Sequence, residues 1–195
     1  MKLIWNLMAI LGLLVLVGVI VVAVRWQPPL GMINEFDPKA LQTYADMTRT
    51  LLKTGNGAEA TVWKMPVEDG LSADDVEMTM RFVANEHNIK NVGELPLYKE
   101  VEAVSGESYR FVKIYMFCNS MTAARMLDYS DAFAAYLPCR ITLIEDKTGK
   151  LWLYTLNMDL MIYGGTPLPP ELKQEAIEVK EIILDIMKRG STGAF

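Results

Sequence analysis

The sequence predicts an α+β fold: a two-layer sandwich of one mainly antiparallel sheet with helices on one face, carried behind a single N-terminal transmembrane helix. Three observations predict it. The first is an unbroken uncharged run from Leu3 to Val24, with Asn6 as its one amide. The second is a succession of short strand-like and amphipathic helical segments after residue 59, in the order β-α-β-β-α-β-β-α. The third is a hairpin signature, two apolar segments joined by Asp146-Lys147-Thr148-Gly149. The 195 residues divide into an anchor (1–26), a linker with a juxtamembrane helix (27–58), a domain (59–190) and a tail (191–195).

The anchor explains the composition. Hydrophobic residues make up 51% of the chain, slightly high for a soluble domain, and the surplus sits in one place. Lys2 and Arg25 are the only basic residues among the first 25. Residues 26–195 therefore hold 17 of the 19 basic residues and all 24 acidic ones, a net charge of −7. This distribution excludes a purely soluble protein, a multi-pass transporter and a disordered chain. It also argues against a nucleic-acid partner, which needs clustered Lys and Arg. A helix over Leu3–Val24 spans about 33 Å, close to the hydrocarbon thickness of a bilayer at about 30 Å. Trp5 and Trp26 fall at its two ends with Arg25 beside the second, as membrane-interface residues do. Pro28 and Pro29 are expected to stop the helix there. A cleaved signal peptide is the alternative, but its apolar core is usually shorter and Val21-Val22-Ala23 is only a fair cleavage site. A short N-terminal tail before one anchor suggests an exported C-terminal domain. The expected topology is single-pass.

The elements follow in order. Asp37-Pro38 reads as an N-cap and first helical residue, opening a helix to about Lys53 with Leu41, Tyr44, Met47 or Thr48, Leu51 and Leu52 on one face. Gly55-Asn56-Gly57 ends it. Residues 60–67 are strand-like. Ser72 and Asp75 form a capping-box-like start for a helix through Val76, Met80, Val83 and His87. Tyr98–Val104 reads as a strand, and Tyr109–Cys118 as the clearest strand of the chain. Ser120 or Thr122 caps a helix to about Tyr136, broken by Pro138, and Asn119 after the strand also suits a turn or helix N-cap. Residues 141–144 and 151–156 make the hairpin. Residues 158–170 form a loop, and Glu171–Arg189 a long helix capped by Gly190 with a frayed tail behind it.

Candidate chemistry is sparse. If the helix after Cys118 returns unbroken, it separates Cys118 from Cys139 by about 24 Å, too far for an intrachain disulfide; a break at Asp128–Asp131 would bring them closer. Buried inert thiols are the simplest reading. A thiolate at Cys139, stabilised by Arg140, is the reactive one. His87 is the only histidine, which excludes a His-pair zinc site. Met116, Met121, Met126, Met158 and Met161 together with the cysteines offer soft ligands for Cu(I), but their spacings suit buried faces better. No phosphate-binding loop, dinucleotide fingerprint, C-x-x-C or nucleophile elbow occurs. No metal site, cofactor or catalytic residue is implied.

Tyr109–Ser120, then Ala123 and Ala124, then Leu137-Pro-Cys-Arg140 with a hairpin behind it, resemble the domain of unknown function 302 family over roughly residues 60–190. Ser120 stands where the family often has Pro. The resemblance implies a small two-layer domain that often dimerises, in bacteria, with no established reaction; with the anchor, the expected location is a bacterial inner membrane, single-pass, with the C-terminal domain periplasmic. It marks Cys118, Asn119, Leu137, Pro138 and Cys139 as the positions to watch. With Arg140 they form the expected ligand or thiol site. The functional expectation is a membrane-anchored accessory or binding domain whose partners are the lipid bilayer and a homodimer mate or membrane protein. A thiol-dependent redox or sulfur protein using Cys139, and a single-span subunit of a larger complex, are the alternatives.

Overall fold

The computed structural model describes residues 2–195; the side chains of residues 3, 26–30, 32 and 33 lie outside the description, and with them the interfacial placement expected of Trp26. Helix α1 covers Lys2–Ile33. Its stretch Ile4–Arg25 reaches a mean hydropathy of 3.2 with none of it buried, so it is long and apolar enough to cross a membrane or to act as a signal sequence. Trp5 is exposed, and so is Arg25. The helix runs past Pro28 and Pro29, where it was expected to stop. A proline removes one amide donor and crowds one carbonyl, a local cost that a helix continuing on both sides can carry. The linker expected at 27–36 is thereby reduced to residues 34–39.

Helix α2 (Ala40–Thr54) begins two residues later than Asp37-Pro38 suggested. Asp37 caps the turn before it, accepting from the Lys39 amide at 2.9 Å. Its carboxylate is buried and ion-paired to Lys173. Gly55, at φ +65°, ends α2 as expected. A single helical turn, α3 (Gly57–Ala60), leads into β1 (Val62–Pro66).

Five strands form one antiparallel sheet in the order β1-β5-β4-β3-β2. They are β1, β2 (Lys90–Leu95), β3 (Val112–Cys118), β4 (Cys139–Glu145) and β5 (Leu151–Leu156). The expected count of five strands holds, but the element order does not: one strand is misplaced and a helix separates the second strand from the third. Tyr98–Val104 lies in helix α5 (Leu97–Ser105), and β2 precedes it. Lys90-Asn-Val-Gly-Glu-Leu95 has little intrinsic strand preference. It is an edge strand held by backbone pairing to β3, which makes composition a poor guide. Gly93 stands at a shift in that register, where a Cβ would come within 2.8 Å of Met116 Cε.

One sheet face carries Tyr115, Phe117, Ile141, Leu143 and Leu153, all fully buried under α4 (Ala73–Glu86) and α8 (Pro170–Thr192). The capping box of α4 is complete: Ser72 Oγ accepts from the Asp75 amide and Asp75 Oδ2 from the Ser72 amide. Helix α8 does not stop at Gly190 but at Gly193, φ +67°. A Cβ on Gly190 would lie 2.7 Å from Met80 Cγ, so this glycine lets α8 close onto α4. The expected frayed tail is ordered too. The Ser191 carbonyl accepts from the Glu68 amide at 2.8 Å, and the Phe195 ring packs on Phe82 at 5.4 Å.

Candidate functional site

The site lies where β3 ends and β4 begins. Asn119 leaves β3 and caps α6 (Ser120–Tyr129), its Oδ1 accepting from the amides of Met121 and Thr122 at 3.2 Å. The sequence offers Ser120, Thr122 or Asn119 for that task. Asn119 wins because an extended residue with a short acceptor side chain reaches two otherwise unbonded amides. The helix does not run on to Tyr136. Ser130 is extended (φ −162°, ψ 126°), and a 3-10 turn, Asp131–Ala135, turns the chain back. The Leu137–Pro138 peptide is cis.

This break removes the separation expected between the cysteines. Cys139 pairs with Phe117 across β3 and β4, one residue from Cys118. Both are free thiols. They line one pocket together with Asn119, Thr122, Met126 and Phe133 of the following turns and Met158, Met161, Ala176 and Val179 from farther along the chain. The cavity volume is about 30 Å³, little more than a water-sized group occupies. Its walls are almost wholly apolar. Short helix α7 (Asp159–Tyr163), inside the expected 158–170 loop, supplies Met161.

Electrostatics keep this pocket neutral. Burial pushes the Cys139 thiol up to about 11; the neighbouring Cys118 adds to this, and Arg140 only partly opposes it. Burial also raises Cys118. Arg140 is exposed and sits next along β4, on the opposite sheet face by strand alternation. It lines a smaller cleft with Tyr136, Thr155 and Asn157 that shares Cys139, Met158 and Met161 with the main pocket. Cys118, Asn119 and Cys139 thus line one pocket, and Arg140 lines the adjoining cleft with Cys139. Among the described residues no three His, Cys, Asp or Glu side chains converge. The sulfur-bearing residues that line the pocket are Cys118, Cys139, Met126, Met158 and Met161. Met121 is 66% exposed and Met116 is on the opposite face. His87 ends α4 and pairs with Asp185 of α8 at 2.8 Å, lining no part of the pocket.

The sequence grouped Met126, Met158 and Met161 with the cysteines but missed Phe133, Ala176 and Val179 as pocket walls. The concentration of methionines around Cys118 and in the 158–161 segment was the one available signal.

The fold and site define a class: a two-layer α+β domain behind an apolar N-terminal helix, with a narrow apolar pocket and no assembled catalytic group among the described residues. The chain belongs to the family described as domain of unknown function DUF302, whose model matches residues 63–190. The crystal structure of the uncharacterized conserved protein DUF302 from Bacillus stearothermophilus is similar in fold, with a TM-score of 0.53 at 14% identity, over 66% of this chain and 97% of that one. No curated protein matches the chain.

Proposed function

We propose that this protein is a membrane-anchored accessory domain whose pocket holds an apolar group of a small ligand or partner protein. In this reading α1 stays in a bacterial inner membrane and the domain faces the periplasm. The observation that carries the proposal is the pocket itself: an unfilled apolar space of about 30 Å³ at a solvent-reaching corner. Protein interiors normally fill such spaces. The volume suits a short aliphatic or thioether tip rather than a whole drug-sized molecule, which needs several hundred Å³. Asn119, exposed at the rim, gives a bound partner a polar contact. The thiol-chemistry alternative is weaker. A thiol raised to about 11 leaves on the order of one molecule in 10⁴ as thiolate at pH 7, and the thiolate is the nucleophile.

Xenon tests the pocket, because dry apolar cavities take it up. In methyl-labelled protein, xenon is expected to shift the Met126, Met158 and Met161 signals and leave the exposed Met78 unmoved. Ala123→Phe, at the pocket wall, is expected to abolish the response. Unmoved pocket methyls would reject the binding-site reading. Alkaline phosphatase fused after Phe195 tests orientation: activity is expected, and a silent, stably expressed reporter would overturn export.

A further inference from the structure

We infer that α2 lies on the lipid surface, with Leu41, Leu51 and Leu52 set into the headgroup boundary as a second membrane contact beside α1. The inference rests on the anchor reading of α1 and adds to it.

An amphipathic helix of a water-soluble domain turns its apolar stripe inward. Helix α2 does the reverse. At 100° per residue, Leu41, Tyr44, Ala45, Thr48, Leu51 and Leu52 share about a third of its circumference. On that stripe Leu52 is 82% exposed, Leu41 64%, and Leu51 and Tyr44 each 42%. The domain is held instead by the small residues Ala40 and Thr43, which are buried. It is also held by a hydrogen bond from Tyr44 Oη to the Gly164 carbonyl at 2.6 Å and by the Asp37–Lys173 pair just before the helix. The helix is thus fixed to the domain with its leucines outward.

Chain continuity names the occupant. Only residues 34–39 separate α1 from α2, a link that spans at most about 25 Å. Helix α1 continues to Ile33, eight residues past Arg25, so chain continuity holds the start of the 15-residue helix α2 within about 40 Å of the headgroups that α1 enters. Arg49 and Lys53 flank the stripe on one edge, where cationic side chains meet lipid phosphates. Asp46 is already engaged by Arg49 and Gln42, which reduces its repulsion from an anionic surface. An apolar face, a low overall hydrophobicity and a basic edge are the marks of a helix lying in the interface plane.

Site-specific photocrosslinking of the full chain tests this. A benzophenone side chain is placed singly at positions 15, 41, 42, 46 and 52 of protein in phosphatidylethanolamine–phosphatidylglycerol vesicles, and adducts are read by mass spectrometry. Lipid adducts are expected at 15, 41 and 52, at least tenfold above those at 42 and 46. Lipid adducts at 15 with none at 41 and 52 would overturn the α2 contact and leave the anchor standing. Protein adducts at 41 and 52, to a second copy or another chain, would do the same. No lipid adduct at 15 would reject the anchor, and the α2 contact with it.

Discussion

The two ends of β3 face the same helical layer and meet burial in opposite ways. Near its start, Lys113 and Tyr115 reach into a closed set of charges. Lys113 Nζ lies 2.7 Å from Glu77 and 2.8 Å from Glu94, Arg81 binds both carboxylates, and Tyr115 Oη donates to Glu77 at 2.8 Å. Each acceptor is answered, so this end is full. At the far end, Phe117 and Cys118 line a pocket whose walls are mostly apolar, and a space is left open. A satisfied polar cluster locks one arrangement and has no capacity for a ligand. An apolar gap forgoes packing energy that a ligand can restore.

That contrast breaks most visibly at Lys113. Lys113→Ala leaves Glu77 and Glu94 facing each other with one cation fewer, and is expected to cost about 2–4 kcal/mol in chemical denaturation. Acid tests the same cluster. Burial pushes the Glu77 carboxyl up, but the hydrogen bonds from Lys113, Tyr115 and Arg81 outweigh it and hold the group below its ordinary 4.5. Its contribution is complete above the unfolded value and disappears as pH falls through the lowered folded one. Wild type is therefore expected to lose stability below about pH 4.5, and Glu77→Gln to show a shallower loss.

At the pocket end the expected effects shrink in turn. Alkylation of Cys139 at pH 7 is expected to run about a hundredfold slower than that of a free cysteine and to accelerate as pH approaches 11. Fast labelling in the folded protein would show the pocket to be polar and open. Asn119→Ala removes the acceptor for two amides, and is expected to cost about 1 kcal/mol. Ala123→Leu puts apolar volume at the pocket wall, with an expected stability change below about 1 kcal/mol in either direction. A larger loss would mean that the space is already filled by packing, and that the two ends differ less than described.

The full end and the empty end were unequally visible in the chain. The Ser72–Asp75 capping box and the β4–β5 hairpin were legible because their partners are three to fourteen residues apart. Edge strand β2 was not, because β3 supplies what its own residues lack. Helix α5 was read as a strand because Tyr98, Val101 and Val104 are aromatic or branched, yet none of α5 is buried and the helix is a surface one. Gly190 looked like a stop signal; its reason is Met80 on another helix. Cys118, Asn119 and Cys139 stood out through local motif. Their companions Met126, Met161 and Val179 come from three elements, and the break at Ser130 decides how they meet.

The clamp at Asp37 has a mechanical meaning. Tension applied through the N-terminal segment enters the domain at two neighbouring points, since the Asp37 amide binds the Gly165 carbonyl at 2.8 Å and Tyr44 binds that of Gly164. This backbone is the direct continuation of α7, whose Met161, with Met158 just before it, walls the pocket. A pull on the leash and the width of the cavity are therefore transmitted through the same few residues.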